Sequence, residues 1–181
     1  MIGKETTIRS AVPDDAERLL DIYSYYVLNT AVSFEYDVPS ADEFRHRIET
    51  TLKKYPYLVI ETGGRITGYA YAGPFKARAA YCHSCEVSIY LEHGTERHGN
   101  GKKLYAALEN ELKGLGILNM YACIGIPETD DEYLTRNSEL FHSHLGFTKV
   151  GEFRNCAYKF GRWYSMIWME KIIGDHSAFG Q

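Results

Sequence analysis

The order of elements around one glycine-rich loop restricts the fold of this chain more than any other feature. A strand-like run, EVSIYL at residues 86–91, precedes a loop that carries Gly99 and Gly101, and an amphipathic helix pattern follows with leucine at positions 104, 108, 112 and 115. A loop of this kind brings backbone N–H groups and the positive end of a helix to one place, and its glycines let an anion approach closely. The pattern favours a layered fold with a phosphate site before the helix.

The side chains around this loop fit a phosphate site. Arg97, His98, Lys102 and Lys103 add positive charge beside the glycines. By spacing alone, these residues fit an ordinary glycine loop before a solvated, basic helix turn as well as they fit a phosphate site. The Walker pattern GxxxxGK[ST] and the dinucleotide pattern GxGxxG do not occur in the sequence, so these two phosphate motifs are excluded.

The remaining elements are predicted from hydrophobic spacing and from helix-start signals. Ser40 with Glu43 three residues later predicts a capping box before an amphipathic helix. Strands are predicted at residues 8–10, 57–60, 66–75, 85–91, 120–126, 148–154 and 163–171, and helices after residues 13–15, after residue 40, at 104–115 and at 132–145. Hairpin strands mixed with helices predict one α/β or α+β layer fold.

Composition limits the partners of this chain. It has 181 residues, 45% of them hydrophobic, and a net charge of -4, which favours neither nucleic acid nor an anionic membrane. No apolar run reaches the length of a signal peptide or of a membrane span. We therefore expect a cytoplasmic, soluble protein whose partner is a small solute.

Four cysteines occur, and they do not form a metal pattern. Cys82 and Cys85 make a lone CxxC without a second ligand pair, so we expect no metal. Buried, inert thiols are the preferred interpretation, including Cys123 in a core strand. A nucleophilic Cys123 paired with His142 is the chemical alternative.

Three motifs together resemble one enzyme family. AGPFKARAAY at residues 72–81, the strand EVSIYL, and FHSHLGF followed by AYKFGRW resemble the GNAT acetyltransferases, and most of all the phosphinothricin and methionine sulfoximine N-acetyltransferases. The resemblance implies the GNAT acyl-CoA N-acyltransferase fold, a mixed central sheet flanked by helices, as a single domain over residues 1–173 with a frayed tail at 174–181. It implies an enzyme that moves an acetyl group from acetyl-CoA to the amine of a small amino acid or analogue.

Other functions stay open at this point. A protein N-terminal or polyamine acetyltransferase is the alternative within the enzyme class. A non-catalytic acetyl-CoA sensor would keep the glycine loop without the chemistry, and a module responsive to metal or thiols would depend on Cys82 and Cys85.

The resemblance also implies a donor site. The acetyl-CoA pyrophosphate is expected on the loop, and the thioester carbonyl on the backbone that follows Ser88; the residues concerned are Ile89, Tyr90, Leu91, Arg97, His98, Gly99, Asn100, Gly101 and Lys102. Two positions depart from the family pattern. Glu96 stands where glutamine or arginine is usual, and Thr135 stands where the family has an asparagine, with Asn137 two residues later as the substitute contact.

Two titratable residues match the family's catalytic positions. Glu86 is the candidate base that takes the proton of the acceptor amine. The alternative for Glu86 is a solvated strand glutamate. His142 precedes Gly146 by four residues, and its ordinary pKa of about 6.5 suits either accepting a proton or returning one to the CoA thiolate. The alternative is a helix histidine packed beside Phe141 and Leu145.

The acceptor is expected to carry an anionic group, because two cations lie in the matched motif. The implied acceptor residues are Phe34, Lys76, Arg78, Tyr81 and Ser88. A solvated loop is the alternative for Lys76 and Arg78. Tyr158, Lys159 and Trp163 are also matched, and an aromatic core and a dimer edge explain them equally well. We expect a homodimer.

Overall fold

A computed structural model of the chain describes residues 5–95 and 99–179. The four α-helices of the described part are α1 (Ala16–Asn29), α2 (Ala41–Leu52), α3 (Asn100–Gly114) and α4 (Asn137–His144). Its strands are β1 (Thr6–Ser10), β2 (Tyr57–Thr62), β3 (Arg65–Pro74), β4 (Ser84–Leu91), β5 (Asn119–Ile126), β6 (Thr148–Lys159) and β7 (Arg162–Ile172). Short 3₁₀ turns lie at Pro13–Asp15, Ala79–Tyr81 and His176–Phe179.

These strands form one mixed sheet in the order β1-β2-β3-β4-β5-β7-β6. The pairs β1–β2, β2–β3, β5–β7 and β6–β7 are antiparallel, whereas β4 and β5 run parallel. A parallel pair needs a crossover connection, and α3 lies in the chain between β4 and β5. The mixed sheet with its helices confirms the predicted fold class.

The chain divides into two compact units. The first holds β1, β2, α2 and α3, the second holds β5, β6, β7 and α4, and α1, β3 and β4 contribute residues to both. In the first unit α2 and α3 pack against β2, and in the second α4 packs against β5. Whether the chain functions as a single domain with a frayed end stays a prediction.

The interior of the first unit contains a layer of tyrosine rings. Tyr57 and Tyr69 are 2% and 1% exposed, and their ring centroids lie 5.7 Å apart with nearly parallel planes. Tyr71 stacks on Tyr57 at 4.8 Å, while Tyr90 contacts Tyr69 at 5.4 Å and the edge of Tyr23 at 5.0 Å. We call these five residues the tyrosine layer. Aromatic area of this size contributes strongly to stability when it is buried.

The predicted helix at 132–145 is wrong in its first turns, since α4 begins only at Asn137. Asp131 holds the preceding chain in a turn instead. Its Oδ1 accepts from the backbone N–H groups of Tyr133 and Leu134, both at 2.8 Å, and its Oδ2 accepts from the hydroxyl of Tyr164 at 3.0 Å. Tyr164 is distant in sequence, so helical spacing could not reveal this bond.

Only one of the two hydrogen bonds of the predicted capping box forms at Ser40. Ser40 Oγ accepts from the backbone N–H of Glu43 at 3.1 Å, as predicted. The Glu43 carboxylate accepts from the Arg47 guanidinium one turn further along α2. The start of the helix was therefore predicted correctly, whereas the return bond of the box was not.

The cysteines differ from the prediction of buried thiols. Cys85 is buried, and burial raises the pKa of its thiol to about 12. Cys82, Cys123 and Cys156 are exposed, so Cys123 is not a core residue. Within residues 5–95 and 99–179, no group of three or more His, Cys, Asp and Glu side chains has metal-site geometry, and none of the helices there is both long and apolar enough to cross a membrane.

Candidate active site

Strand β4 presents Glu86 between two buried neighbours. Cys85 and Val87 are 0% and 3% exposed, and Glu86, whose side chain points to the opposite face, is half-buried. Burial raises the pKa of the Glu86 carboxyl above its usual value, and the nearby Lys76 ammonium partly offsets this. A carboxylate with a raised pKa is a better proton acceptor near neutral pH.

Lys76 belongs to an aromatic cluster beside this carboxylate. Its Nζ lies 4.8 Å from the ring centroid of Phe75 and 5.2 Å from that of Trp168. Phe75 in turn stacks on Tyr121 at 4.2 Å and meets Tyr81 edge-on at 5.7 Å. The structure thus brings the predicted Lys76, Tyr81 and Glu86 into one region of the second unit.

Phe75, Tyr121 and Trp168 were not predicted as site residues. Phe75 lies inside the motif AGPFKARAAY, so the family resemblance of that motif could have indicated it as a site residue. Tyr121 is the register partner of Glu86 across the parallel β4–β5 pair, and Trp168 lies on β7. Their contribution depends on strand pairing, which the sequence does not specify.

The other predicted acceptor residues lie in different surroundings. Arg78 is exposed and precedes the 3₁₀ turn Ala79–Tyr81. Ser88 is half-buried on the same side of β4 as Glu86. Phe34 packs against a core cluster of the second unit, with its ring centroid 6.4 Å from that of Tyr164.

His142 and His144 occupy the same helix but different environments. In each, Nδ1 lies 2.7 Å from the carbonyl oxygen four residues earlier, which is Ser138 for His142 and Leu140 for His144. A carbonyl only accepts, so Nδ1 carries the proton in both rings. His142 is 3% exposed and His144 is exposed. Burial lowers the pKa of His142, and the Ser138 bond opposes this, so the buried ring favours the neutral form.

The described part of the glycine loop has the geometry of a helix start. Gly99 adopts a left-handed φ of 79° at the N-cap of α3, and the Lys103 N–H donates to the Gly99 carbonyl at 3.1 Å. The N–H groups of Asn100, Gly101 and Lys102 precede this first helical bond and have no acceptor within the helix. A Cβ at Gly99 would meet no atom within 4 Å, so the left-handed φ, and not crowding, favours glycine at this position. Arg97 and His98 lie outside the described residues.

Two further features support the donor side. The buried Asn100 side chain donates to Thr62 Oγ1 at 3.4 Å, which joins the start of α3 to the end of β2. A Cβ at Gly68 would lie 3.0 Å from the Tyr90 carbonyl oxygen and 2.5 Å from Leu91 Cδ2. Glycine at position 68 is therefore required for β3 to approach the backbone of β4, where Ile89, Tyr90 and Leu91 were predicted to bind the donor.

Asn137, the predicted substitute for a family asparagine, is exposed at the first residue of α4. Its backbone N–H donates to Thr135 Oγ1 at 3.4 Å. The hydroxyl at position 135 thus helps to form the start of the helix, and the Asn137 side chain is accessible to a ligand.

The tyrosine layer borders a cavity of about 380 Å³ that no sequence motif predicted. All five layer residues line it, together with Phe44, His46, Arg47, Thr50 and Thr51 of α2. It lies within the first unit and is mostly apolar in lining. A cavity of this volume is within the range of small-molecule sites.

The family of the chain follows from sequence comparison. The profile of the GNAT acetyltransferase domain matches residues 8–168. The chain therefore belongs to the GNAT acetyltransferases, as its motifs predicted, and it is an acetyltransferase by family.

Its relatives include enzymes of the predicted branch. The chain is 33% identical over 159 residues to phosphinothricin N-acetyltransferase of Streptomyces viridochromogenes, which covers 88% of this chain and 83% of that protein. It is 31% identical over 173 residues to the L-methionine sulfoximine/L-methionine sulfone acetyltransferase of Salmonella typhimurium, with 95% and 97% covered. The crystal structure of a phosphinothricin acetyltransferase from Sinorhizobium meliloti in complex with acetyl-CoA matches with a TM-score of 0.86 and 33% identity, covering 96% of this chain and 91% of that one.

Proposed function

We propose that this chain moves the acetyl group of acetyl-CoA directly to the amine of a small amino acid or amino-acid analogue. The observation that carries the proposal is Glu86, a half-buried carboxylate with a raised pKa on the strand that leads to the glycine loop. The names of the relatives support the substrate class, because phosphinothricin and methionine sulfoximine are both amino-acid analogues.

Glu86 takes a proton from the amine that will receive the acetyl group. This step is needed because an amino-acid amine is mostly protonated near neutral pH and only the neutral amine is a nucleophile. The amine nitrogen forms a bond to the thioester carbonyl carbon and the carbon–sulfur bond breaks. The nitrogen then loses its second proton as the amide forms, and the leaving CoA thiolate takes up that proton. His142 contributes a neutral imidazole with its proton on Nδ1, which favours proton acceptance over donation.

The donor is held mainly by backbone groups. The N–H groups at the start of α3, from Gly99 to Lys102, bind the pyrophosphate, with Arg97 and His98 as neighbouring cations. The backbone of Ile89, Tyr90 and Leu91 orients the thioester and stabilises the oxyanion. Asn137 makes a further contact to CoA.

The acceptor is selected by charge. Lys76 and Arg78 pair with its carboxylate or phosphinate, while Tyr81, Phe34 and Ser88 complete the acceptor contacts. Because Lys76 already lies over two aromatic rings, it is held in position before the acceptor binds.

An acceptor screen tests this function. Thiol release from acetyl-CoA is followed with phosphinothricin, methionine sulfoximine, free amino acids, their uncharged amides, polyamines and peptides. We expect turnover with the amino-acid group, a lower kcat/KM for each amide, and a loss in Arg78→Ala that does not add to the loss caused by the amide. Preference for spermidine or for peptides would support the alternative acetyltransferases, and acetyl-CoA binding without turnover would support a sensor.

We also propose a homodimer formed through β6 and the start of β7. Val150, Phe153, Tyr158 and Trp163 are 51%, 55%, 49% and 61% exposed there, which is a large amount of apolar surface for one hairpin. Sedimentation should give the mass of two chains, and Phe153→Asp should shift it toward one. The four cysteines are free thiols, which suits the reducing cytoplasm.

A further inference from the structure

Lys159, the last residue of β6, carries a buried charge that the reaction described above does not use. Its side chain is 3% exposed, and Nζ donates to the carbonyl oxygens of Val27, Thr30 and Ser33 at 2.8, 2.9 and 2.6 Å. A lysine ammonium has three N–H donors, so each one has its own acceptor. A neutral amine has only two N–H groups and would leave one carbonyl without a donor, so the site fits the protonated form.

The three carbonyls lie at the end of a helix and beyond it. Val27 belongs to the last turn of α1, which ends at Asn29, and Thr30 and Ser33 lie in the segment that follows. The last carbonyls of a helix lack partners within it and favour a cation. Thr30 and Ser33 lie beyond that turn, so Lys159 also fixes the path of the chain after the helix. We call residues 30–36 (TAVSFEY) the post-helix segment.

A second bond from the same strand holds the far end of this segment. The hydroxyl of Tyr36 donates to the carbonyl of Tyr158, the residue before Lys159. The β6–β7 connection is a two-residue turn in which Phe160 and Gly161 have φ of 51° and 76°. Two positive φ values define a tight hairpin turn, which limits the movement of Lys159 relative to β7.

The post-helix segment carries Phe34 against a close-packed wall. Its ring contacts Tyr164, and a Cβ at Gly125 would lie only 3.0 Å from Phe34 Cζ and 3.2 Å from the Ala31 carbonyl oxygen. The ring position therefore depends on the backbone path that Lys159 and Tyr158 fix.

We propose that Lys159 is a positioning residue for the acceptor: its ammonium holds the post-helix segment so that Phe34 forms one wall of the acceptor site. This inference rests on the proposed function, because the acceptor role of Phe34 is part of it. Lys159 itself touches neither substrate.

The first experiment compares two lysines of the same strand. Lys159→Met keeps an unbranched side chain as far as Cε and removes the ammonium group with its three donors, whereas Lys149→Met changes an exposed lysine of β6. We expect Lys159→Met to lower kcat/KM for the acceptor by about 10- to 100-fold, since small misplacements of positioning groups have effects of this size. The KM for acetyl-CoA should stay unchanged, and Lys149→Met should behave as the wild type. Equal losses toward both substrates would assign Lys159 a general structural role and overturn the proposal.

Hydrogen exchange tests the positioning step without any substrate. The backbone amides of residues 27–36 should exchange faster in Lys159→Met than in the wild type, while the amides of the β6–β7 hairpin keep their protection. Unchanged exchange in residues 27–36 would overturn the proposal whatever the enzyme acetylates. If Lys159→Met does not fold, Lys159→Arg keeps the charge but not the three-carbonyl geometry, and the same readouts apply.

A double-mutant cycle with Phe34→Ala separates this inference from the proposed function. If Lys159 acts through Phe34, the two losses in acceptor kcat/KM will not add. Fully additive losses would overturn the link between the two residues. A Phe34→Ala enzyme with wild-type kinetics would instead remove Phe34 from the acceptor site, and with it the positioning role, while the acetyl-transfer function would stand.

Discussion

The interiors of the two units bury different kinds of groups. In the first unit, the rings of Tyr57 and Tyr69 stack in a layer whose hydroxyls lie among other hydroxyls. Burial raises the pKa of both phenols well above the usual value, so neither titrates near neutral pH. In the second unit, Glu86, His142 and Lys159 are withdrawn from water, and burial shifts the pKa of each toward its neutral form.

This difference separates stability from chemistry. Stacked phenols contribute apolar area and stay uncharged, which stabilises the fold. Burial makes the Glu86 carboxylate a better proton acceptor and favours the neutral imidazole of His142, and both effects suit groups that transfer protons. We therefore expect substitutions in the tyrosine layer to change the free energy of unfolding, and substitutions at Glu86 and His142 to change turnover.

The largest expected effect is at Glu86. Glu86→Gln keeps the shape and removes the proton acceptor, so kcat should fall by about 10²- to 10⁴-fold while the affinity for acetyl-CoA stays near wild type. A thiol-release assay measures kcat, and calorimetry measures the affinity for acetyl-CoA. Glu111→Gln, a change at an exposed glutamate of α3, is the control for loss of charge. Wild-type turnover in Glu86→Gln would make Glu86 an ordinary strand glutamate.

At Tyr69 we expect an effect on stability, where Glu86 affects turnover. Tyr69→Ala removes a ring that is 1% exposed and should lower the free energy of unfolding by about 3–5 kcal/mol. Leu115→Ala, at a side chain of the first unit that is 56% exposed, should change it by less than about 0.5 kcal/mol. Urea denaturation measures both. A small loss in Tyr69→Ala would show that the tyrosine layer does not support the fold.

The sequence predicts the local elements of this molecule better than it predicts contacts between residues that are distant in the chain. Local patterns predicted the strands, the Ser40 cap and the helix after Gly99, because each depends on neighbours within a few residues. The layer of Tyr57 and Tyr69 and the three acceptors of Lys159 were not predicted. Tyr57 and Tyr69 meet through strand pairing, and Lys159 bonds a helix end more than 120 residues away, so no local spacing reports them.

His142 and His144 provide the next test, since they differ mainly in burial. His142→Asn keeps a donor for the Ser138 carbonyl and removes the titrating ring, so we expect kcat to fall by about 10²-fold or more if the ring takes part in proton transfer. His144→Asn should retain wild-type kcat, because its ring is exposed. Equal rates in the two variants would remove His142 from the reaction.

The dependence of stability on pH gives a further test of His142. The pKa of His142 is below 6.5 in the folded chain, so the unfolded chain takes up this proton first as the pH falls through 6.5. The free energy of unfolding should therefore decrease below pH 6.5 in the wild type, and part of that decrease should be lost in His142→Asn. A wild-type profile in His142→Asn would show that burial does not shift the pKa of His142.

A smaller effect is expected at the start of α3, where the donor is bound by backbone groups. Gly101→Val adds a branched side chain beside the N–H groups and should raise the Kd for acetyl-CoA by about tenfold or more, which is about 1.4 kcal/mol. Gly114→Val is the control in the same helix, because a Cβ there would meet no atom within 4 Å. Calorimetry on the folded variants decides the outcome. Equal affinities in both would mean that the pyrophosphate does not approach the α3 backbone.

The smallest expected effect concerns Lys76, which lies near Glu86 and lowers the pKa of its carboxyl, against the larger opposite effect of burial. Lys76→Gln removes that charge, so the pKa of Glu86 should rise further. Because the base must be deprotonated to act, the acid limb of the kcat profile should move to higher pH. Measuring kcat at saturating acceptor separates this change from weaker acceptor binding. Lys149→Gln, at an exposed lysine of the same unit, should leave the limb in place. A limb that stays fixed or moves to lower pH in Lys76→Gln would mean that a group other than Glu86 controls it.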